Sequence, residues 1–172
     1  VEITKAAKRL FAESTYKALL SHLAYYYQGK IQLAYELSKE AINIADDSGD
    51  IMSKAFSYSA HGISCFGKGL FEEALEFLFT GREFSMKLDQ YWWKPCSNLF
   101  LGEVYYEIGE YQKAIDHYEE AATLFSFYGN WPAFIIVSKI GLIRAQIIND
   151  KEDFSIETLH SYLSIPKAKL VE

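Results

Sequence analysis

Apolar residues recur at steps of three and four along most of the chain, with polar residues between them. In "YQKAIDHYEEAATLF", Tyr111, Ala114, Ile115, Tyr118, Ala121, Ala122 and Phe125 share one side of a helix. That pattern predicts a helix over 111–128. The stretch before it, 91–108, carries Leu101, Val104, Tyr105 and Ile108 at the same spacing and predicts another. Gly109 lets the chain turn between them, with positive φ at the helix end. The packed side of the second helix is small at Ala114 and Ala121, so a neighbouring backbone can come close.

The helix pair repeats. "GKIQLAYELSKEAINIADDSGD" from 29, "GLFEEALEFLFTGREFSMKLDQ" from 69 and "GEYQKAIDHYEEAATLFSFYGN" from 109 align at a constant step of 40 residues. Gly29, Gly69 and Gly109 form one column; Ala34, Ala74 and Ala114 another; Ala41, Gly81 and Ala121 a third. Upstream, Tyr25, Cys65 and Tyr105 align, as do His22, Gly62 and Gly102, and Gly141 follows Gly102 by 39 residues. Asp50, Gln90 and Asn130 mark the next short turn, with Gly49 and Gly129 just ahead of two of them. Pro132 suits the first turn of a following helix. Pro95 requires a helix that begins near Lys94 or bends there.

The stretch "LGEVYYEIGEYQKAIDHYEEA" resembles a tetratricopeptide repeat. Leu101, Gly102, Tyr105, Ala114, Tyr118 and Ala121 stand where that family's pattern has Leu, Gly, Tyr, Ala, an aromatic and Ala. The common unit has about 34 residues; this chain uses 40, about one turn more per helix. The longer unit is similar to the arrays of large bacterial ATPase- and cyclase-type regulators and of some peptide-sensing regulators. The resemblance covers roughly residues 15–148 and implies an all-α, right-handed α-solenoid of stacked antiparallel helix pairs. The expected units are 15–54, 55–94 and 95–133, with a partial fourth at 134–150. Residues 1–14 read as the end of a preceding helix, and 151–172 as a divergent C-terminal helix and tail. The opening "VEITKAAKRLF" is already helical in character, as expected for a piece of a longer protein.

In that family the first helix of each pair lines the concave side. The register then puts a binding face at Tyr16, Leu23, Tyr27, Phe56, Ser59, Ile63, Phe66, Leu99, Glu103, Tyr106, Ser138, Lys139 and Leu142. Some members grip a terminal carboxylate with Lys, Arg and Asn. Lys139 is the one such cation among these positions, which argues against a carboxylate clamp. An apolar, aromatic groove suits a partner helix or an extended peptide; the same rings can instead pack on one another. Tyr91, Trp92, Trp93 and Trp131 fall at inter-repeat turns, as an exposed patch or as staples between units.

Composition narrows the function classes. Lys and Arg total 17 and Asp and Glu 23, for a net charge of −6, without a basic block. A phosphate-backbone binder needs clustered cations, and an acidic surface disfavours anionic membranes, so neither nucleic acid nor membrane is expected as a partner. No run of about 18 apolar residues marks a membrane span. Cys65 and Cys96, without a CxxC spacing, read as reduced, buried thiols of a cytoplasmic protein.

Catalytic chemistry finds no pattern. His22, His61, His117 and His160 are dispersed. His117 has Asp116 and Glu120 beside it, but the register supplies no further metal ligand and leaves all three on the solvent side. "FGKGLF" at 66–71 lacks the GxxxxGK[ST] spacing of a phosphate loop. No serine acquires a His and Asp partner by register. No enzyme activity, metal or cofactor is expected. The chain reads as a non-catalytic protein-interaction or scaffold segment of a larger bacterial signalling protein. Two alternatives stand beside it: a ligand- or peptide-sensing segment controlling an attached ATPase, cyclase or transcriptional module, and a self-association module.

Overall fold

A computed structural model describes residues 2–88, 93–129 and 131–150. The expectations for residues 151–172 and for Gln90, Tyr91, Trp92, Asn130 and His160 lie outside the described residues. Among the latter the fold is all-helical: α1 (Glu2–Leu19), a π-helical segment (Leu20–Tyr26), α2 (Ile31–Ser48), α3 (Ile51–Gly67), α4 (Phe71–Lys87), α5 (Trp93–Glu107), α6 (Tyr111–Gly129) and α7 (Pro132–Asp150). Each helix packs on the next in sequence, giving a tetratricopeptide-like α-solenoid.

The 40-residue columns each have a physical task. Gly29, Gly69 and Gly109 have φ of 71°, 75° and 83°. The following amides reach back five residues: Lys30 N to Tyr25 O at 2.9 Å, Leu70 N to Cys65 O at 3.0 Å, Glu110 N to Tyr105 O at 2.9 Å. That is the helix-ending pattern in which a left-handed glycine lets the next amide satisfy an orphan carbonyl. The next helix starts at once: Ala34, Ala74 and Ala114 donate to Lys30, Leu70 and Glu110 at 2.9, 2.9 and 3.0 Å. Asp50 caps α3 through a 2.7 Å bond from Ser53 N. The turn between the first two helix pairs therefore lies at Gly49 and Asp50, so α3 starts a turn ahead of residue 55. Pro95 sits in the first described turn of α5, where its missing N–H costs nothing.

The small-residue columns are interfaces. Ala34, Ala74, Ala114, Ala41, Gly81 and Ala121 are all buried. Where the second helix carries a large residue, the facing first helix carries glycine. A Cβ at Gly62 would meet Leu78 Cγ at 2.7 Å, and one at Gly102 would meet the Tyr118 ring at 2.7 Å. Tyr118 is closed in from the other side by Gly141, where a Cβ would lie 2.6 Å from its Cζ.

The first unit departs from this register. His22 occupies the sequence column of Gly62 and Gly102, yet the chain there is π-helical, which takes up one extra residue. Upstream of it the repeat step becomes 41, so Ser21 aligns with Gly62 and Ala18 with Ser59. Ser21 and Ala18 are both fully buried, as the small-residue positions require. His22 is turned instead among Tyr27, Trp93 and Phe100, with centroid distances of 5.3, 5.4 and 5.9 Å.

Adjacent first helices touch: α1 on α3, α3 on α5, α5 on α7. The second helices α2, α4 and α6 do not approach one another by backbone among the described residues; α4 and α6 are joined by the long reach of Arg82 to Glu120 at 2.8 Å. The array is therefore tighter on the side of the first helices, which makes that side concave. Trp93 is fully buried between units, 5.2 Å from Phe56 and 5.4 Å from His22. It is a staple, not an exposed patch. Over 132–149, α7 is long and apolar enough to cross a membrane by length and composition, contrary to the sequence expectation. In the fold Ile135, Leu142, Ile143 and Ala145 are buried and Gly141 seats the helix on Tyr118, while Val137, Ile140, Ile147 and Ile148 are exposed.

Candidate functional site

The concave side holds a cavity of about 360 Å³, open to solvent, where the π segment, α3, α5 and α7 meet. Tyr26, Tyr27, Phe66, Leu99, Phe100, Glu103, Ala133, Phe134 and Val137 line it. The chain geometry explains the aromatic wall. The π segment ends at Tyr26, next to Tyr27, and the Gly29 turn follows, so both rings project from the last turn of a first helix. Phe66 stands at the equivalent end of α3, and Phe100 comes from the middle of α5.

The rings meet at steep angles. Tyr26 is T-shaped to Tyr27 (5.4 Å, 84°) and to Phe100 (5.5 Å, 84°), and Phe66 is T-shaped to Phe100 (6.0 Å, 66°). These are favourable quadrupole arrangements. Behind them His22 is fully buried, and neither ring nitrogen has a partner. Burial pushes its pKa down to about 4, so the imidazole is neutral. Burial, followed by the charges of neighbouring Tyr27 and Glu103, pushes the Tyr26 phenol up.

Glu103 is the one charged residue in the cavity lining. Arg144 Nη2 donates to its Oε2 at 2.8 Å and to the Tyr118 hydroxyl at 3.2 Å. The guanidinium also lies 4.0 Å from the centre of the Tyr106 ring. This bridge ties α5 to α7 across 41 residues. Arg144 was not legible from the register, since it stands on no repeating column; an unmatched cation in an apolar helix was the one signal for it.

The cavity gathers four of the residues expected on the binding face: Tyr27, Phe66, Leu99 and Glu103. Tyr16, Leu23 and Tyr27 are 65%, 48% and 54% exposed. Phe56 is half-buried against Trp93, Tyr106 lies under Arg144, and Lys139 is half-buried. Ser59, Ile63, Ser138 and Leu142 are buried between helices and present no surface. Ser59 Oγ is 3.0 Å from Ser97 Oγ, and Ser138 donates to Phe134 O at 2.8 Å. Ser59 is covered by Gly81 of α4 on one side and Ser97 of α5 on the other.

His117 also differs from its expected place. It is half-buried, stacks on Tyr105 (5.4 Å, 6°), and its Nδ1 is 3.1 Å from Asn98 Oδ1. Burial, then the charge of Arg82, lowers its pKa. The ring faces α5, and Glu120 pairs with Arg82 at 2.8 Å. Cys65 and Cys96 are unpaired and buried. Burial raises both thiols, Cys65 to about 12, which makes them unreactive.

A family model described as a tetratricopeptide repeat matches residues 98–127. That span runs from the middle of α5 through most of α6. No curated protein matches the chain.

Proposed function

We propose that this chain is a non-catalytic protein-interaction segment that engages a partner helix or extended peptide along its concave face. Repeats of the kind matched at 98–127 generally mediate protein–protein interaction or scaffolding. The observation that carries the reading is exposed aromatic and apolar surface continuous with a cavity: Tyr16, Leu23 and Tyr27 on the first unit lead to the wall of Tyr26, Phe66 and Phe100. Apolar surface of that kind, rimmed by polar groups, marks interaction sites. The reading takes the chain as a cytoplasmic part of a larger bacterial signalling or regulatory protein.

Selection of peptides from a displayed library on the full chain tests it. Selected peptides should be rich in aromatic and aliphatic residues, and Leu23→Asp or Tyr27→Ala should weaken them by tenfold or more, of the order of one lost anchor. Peptides whose affinity ignores both substitutions would refute the concave assignment. The aromatic cavity favours a second reading, in which a small ligand held there controls an attached module.

A further inference from the structure

We propose that the concave cavity is a binding site for a small organic cation, an ammonium carrying apolar substituents, held by an aromatic cage and the Glu103 carboxylate. The proposal rests on the reading of the concave face as the binding face and names the chemistry of one ligand there.

Three observations lead to it. The first is the wall: Tyr26, Tyr27, Phe66, Phe100 and Phe134 supply five aromatic rings around about 360 Å³. That volume lies at the lower end of the roughly 300–1,000 Å³ of small-molecule sites. The rings stand at 84°, 84° and 66° in successive pairs, so a central group meets them from several directions. Ring quadrupoles attract a cation, and the attraction grows when water is excluded.

The second is charge. The one charged group in the lining is a carboxylate, and the chain carries a net charge of −6. An anion would face Glu103 across an apolar medium. A bare lysine-type ammonium would lose more hydration than the rings return. An alkylated ammonium loses little, because its substituents already shield it.

The third is the position of Arg144. It satisfies Glu103 through Oε2 and rests on Tyr106, outside the cavity lining. The carboxylate is thereby fixed in orientation while its side chain keeps 21% exposure. The π segment adds a local reason: such turns frequently occur at functional sites, and this one delivers Tyr26 and Tyr27.

Calorimetric titration of the full chain tests the proposal with phenyltrimethylammonium, its neutral isostere tert-butylbenzene, and 4-tert-butylbenzoate. The cation should bind saturably and about tenfold tighter than the neutral isostere, with the benzoate weakest. Glu103→Gln should weaken the cation severalfold and leave tert-butylbenzene unchanged. Arg144→Gln, which frees the carboxylate, should tighten the cation, a sign that loss of structure would not produce. Tyr27→Ala, at a half-exposed ring, should weaken it without loss of helix. Equal or tighter binding of tert-butylbenzene, or no saturable cation binding at millimolar concentration, overturns the proposal. Peptide binding is scored separately on Leu23→Asp, since Leu23 lies outside the cavity lining while Tyr27 is shared by both tests. Peptide capture without cation binding defeats this proposal alone; cation binding without peptide capture defeats the peptide reading alone.

Discussion

Gly81 on α4 lies against the backbone of Ser59 on α3: a Cβ at position 81 would sit 2.6 Å from Ser59 N. Main chain cannot give way as a flexible side chain can. Gly81→Ala should therefore force the two helices apart and cost roughly 1–3 kcal/mol. Gly69→Ala, with φ at +75° and no atom within 4 Å, should cost about 1 kcal/mol from backbone strain alone. Urea unfolding of both variants checks the order; equal costs would mean that the α3–α4 contact is looser than described.

Ala114 is fully buried in the small-residue column of α6. Ala114→Leu should overpack that contact and destabilise by roughly 1–3 kcal/mol. A neutral result in thermal melts would show that the column is not an interface.

Trp93 joins three units through Phe56 and His22. Trp93→Ala should leave a cavity between them and cost about 3–5 kcal/mol. Denaturant melts that lose stability by less than about 1 kcal/mol would contradict its role as a staple.

His22 and His61 both have pKa values lowered to about 4, His22 by burial and His61 by burial and then the charge of Lys39. The unfolded chain takes up these protons near pH 6.5, the folded chain only near pH 4. Stability is thus complete above pH 6.5 and declines as pH falls toward 4, by on the order of 3 kcal/mol for His22 alone. His22→Leu should flatten the slope between urea melts at those two values, leaving the contribution of His61. Identical slopes in the two proteins would remove His22 from the account.

The Arg144–Glu103 pair is partly exposed, so its coupling should be modest. A double-mutant cycle with Arg144→Gln and Glu103→Gln should give about 1 kcal/mol, falling with added salt. A coupling indistinguishable from zero at low salt would detach the bridge from the stability of the α5–α7 contact.

Most of the scaffold is legible in the chain as a line of repeats. Gly29, Gly69 and Gly109 turn where their spacing says, and the alanine columns are buried. The candidate site was half legible. Tyr27, Phe66, Leu99 and Glu103 follow from the concave register, but Ser59, Ile63, Ser138 and Leu142 follow equally well and are covered. Periodicity tells which side of a helix a residue occupies. It does not tell how near the next first helix comes.

His22 shows the same division. Its column calls for glycine, and sequence alignment leaves it there. The fold instead spends one residue on a π turn, seats Ser21 in the tight position and sends His22 among aromatic rings. His117, expected on the solvent side, instead contacts Asn98 and stacks on Tyr105 of α5.

The sequence by itself determined the local and repeating features: helix ends, the turn glycines and the buried small-residue columns. Each of these depends on residues within one unit, where φ, hydrogen-bond reach and side-chain size act over a few positions. Tertiary structure alone decided the open cavity, the ring angles, the Arg144–Glu103 bridge and the burial of His22. Those features come mainly from side chains of different units, such as Phe66 with Phe100, Glu103 with Arg144 and His22 with Phe100, competing for the same space, a contest that no local period records.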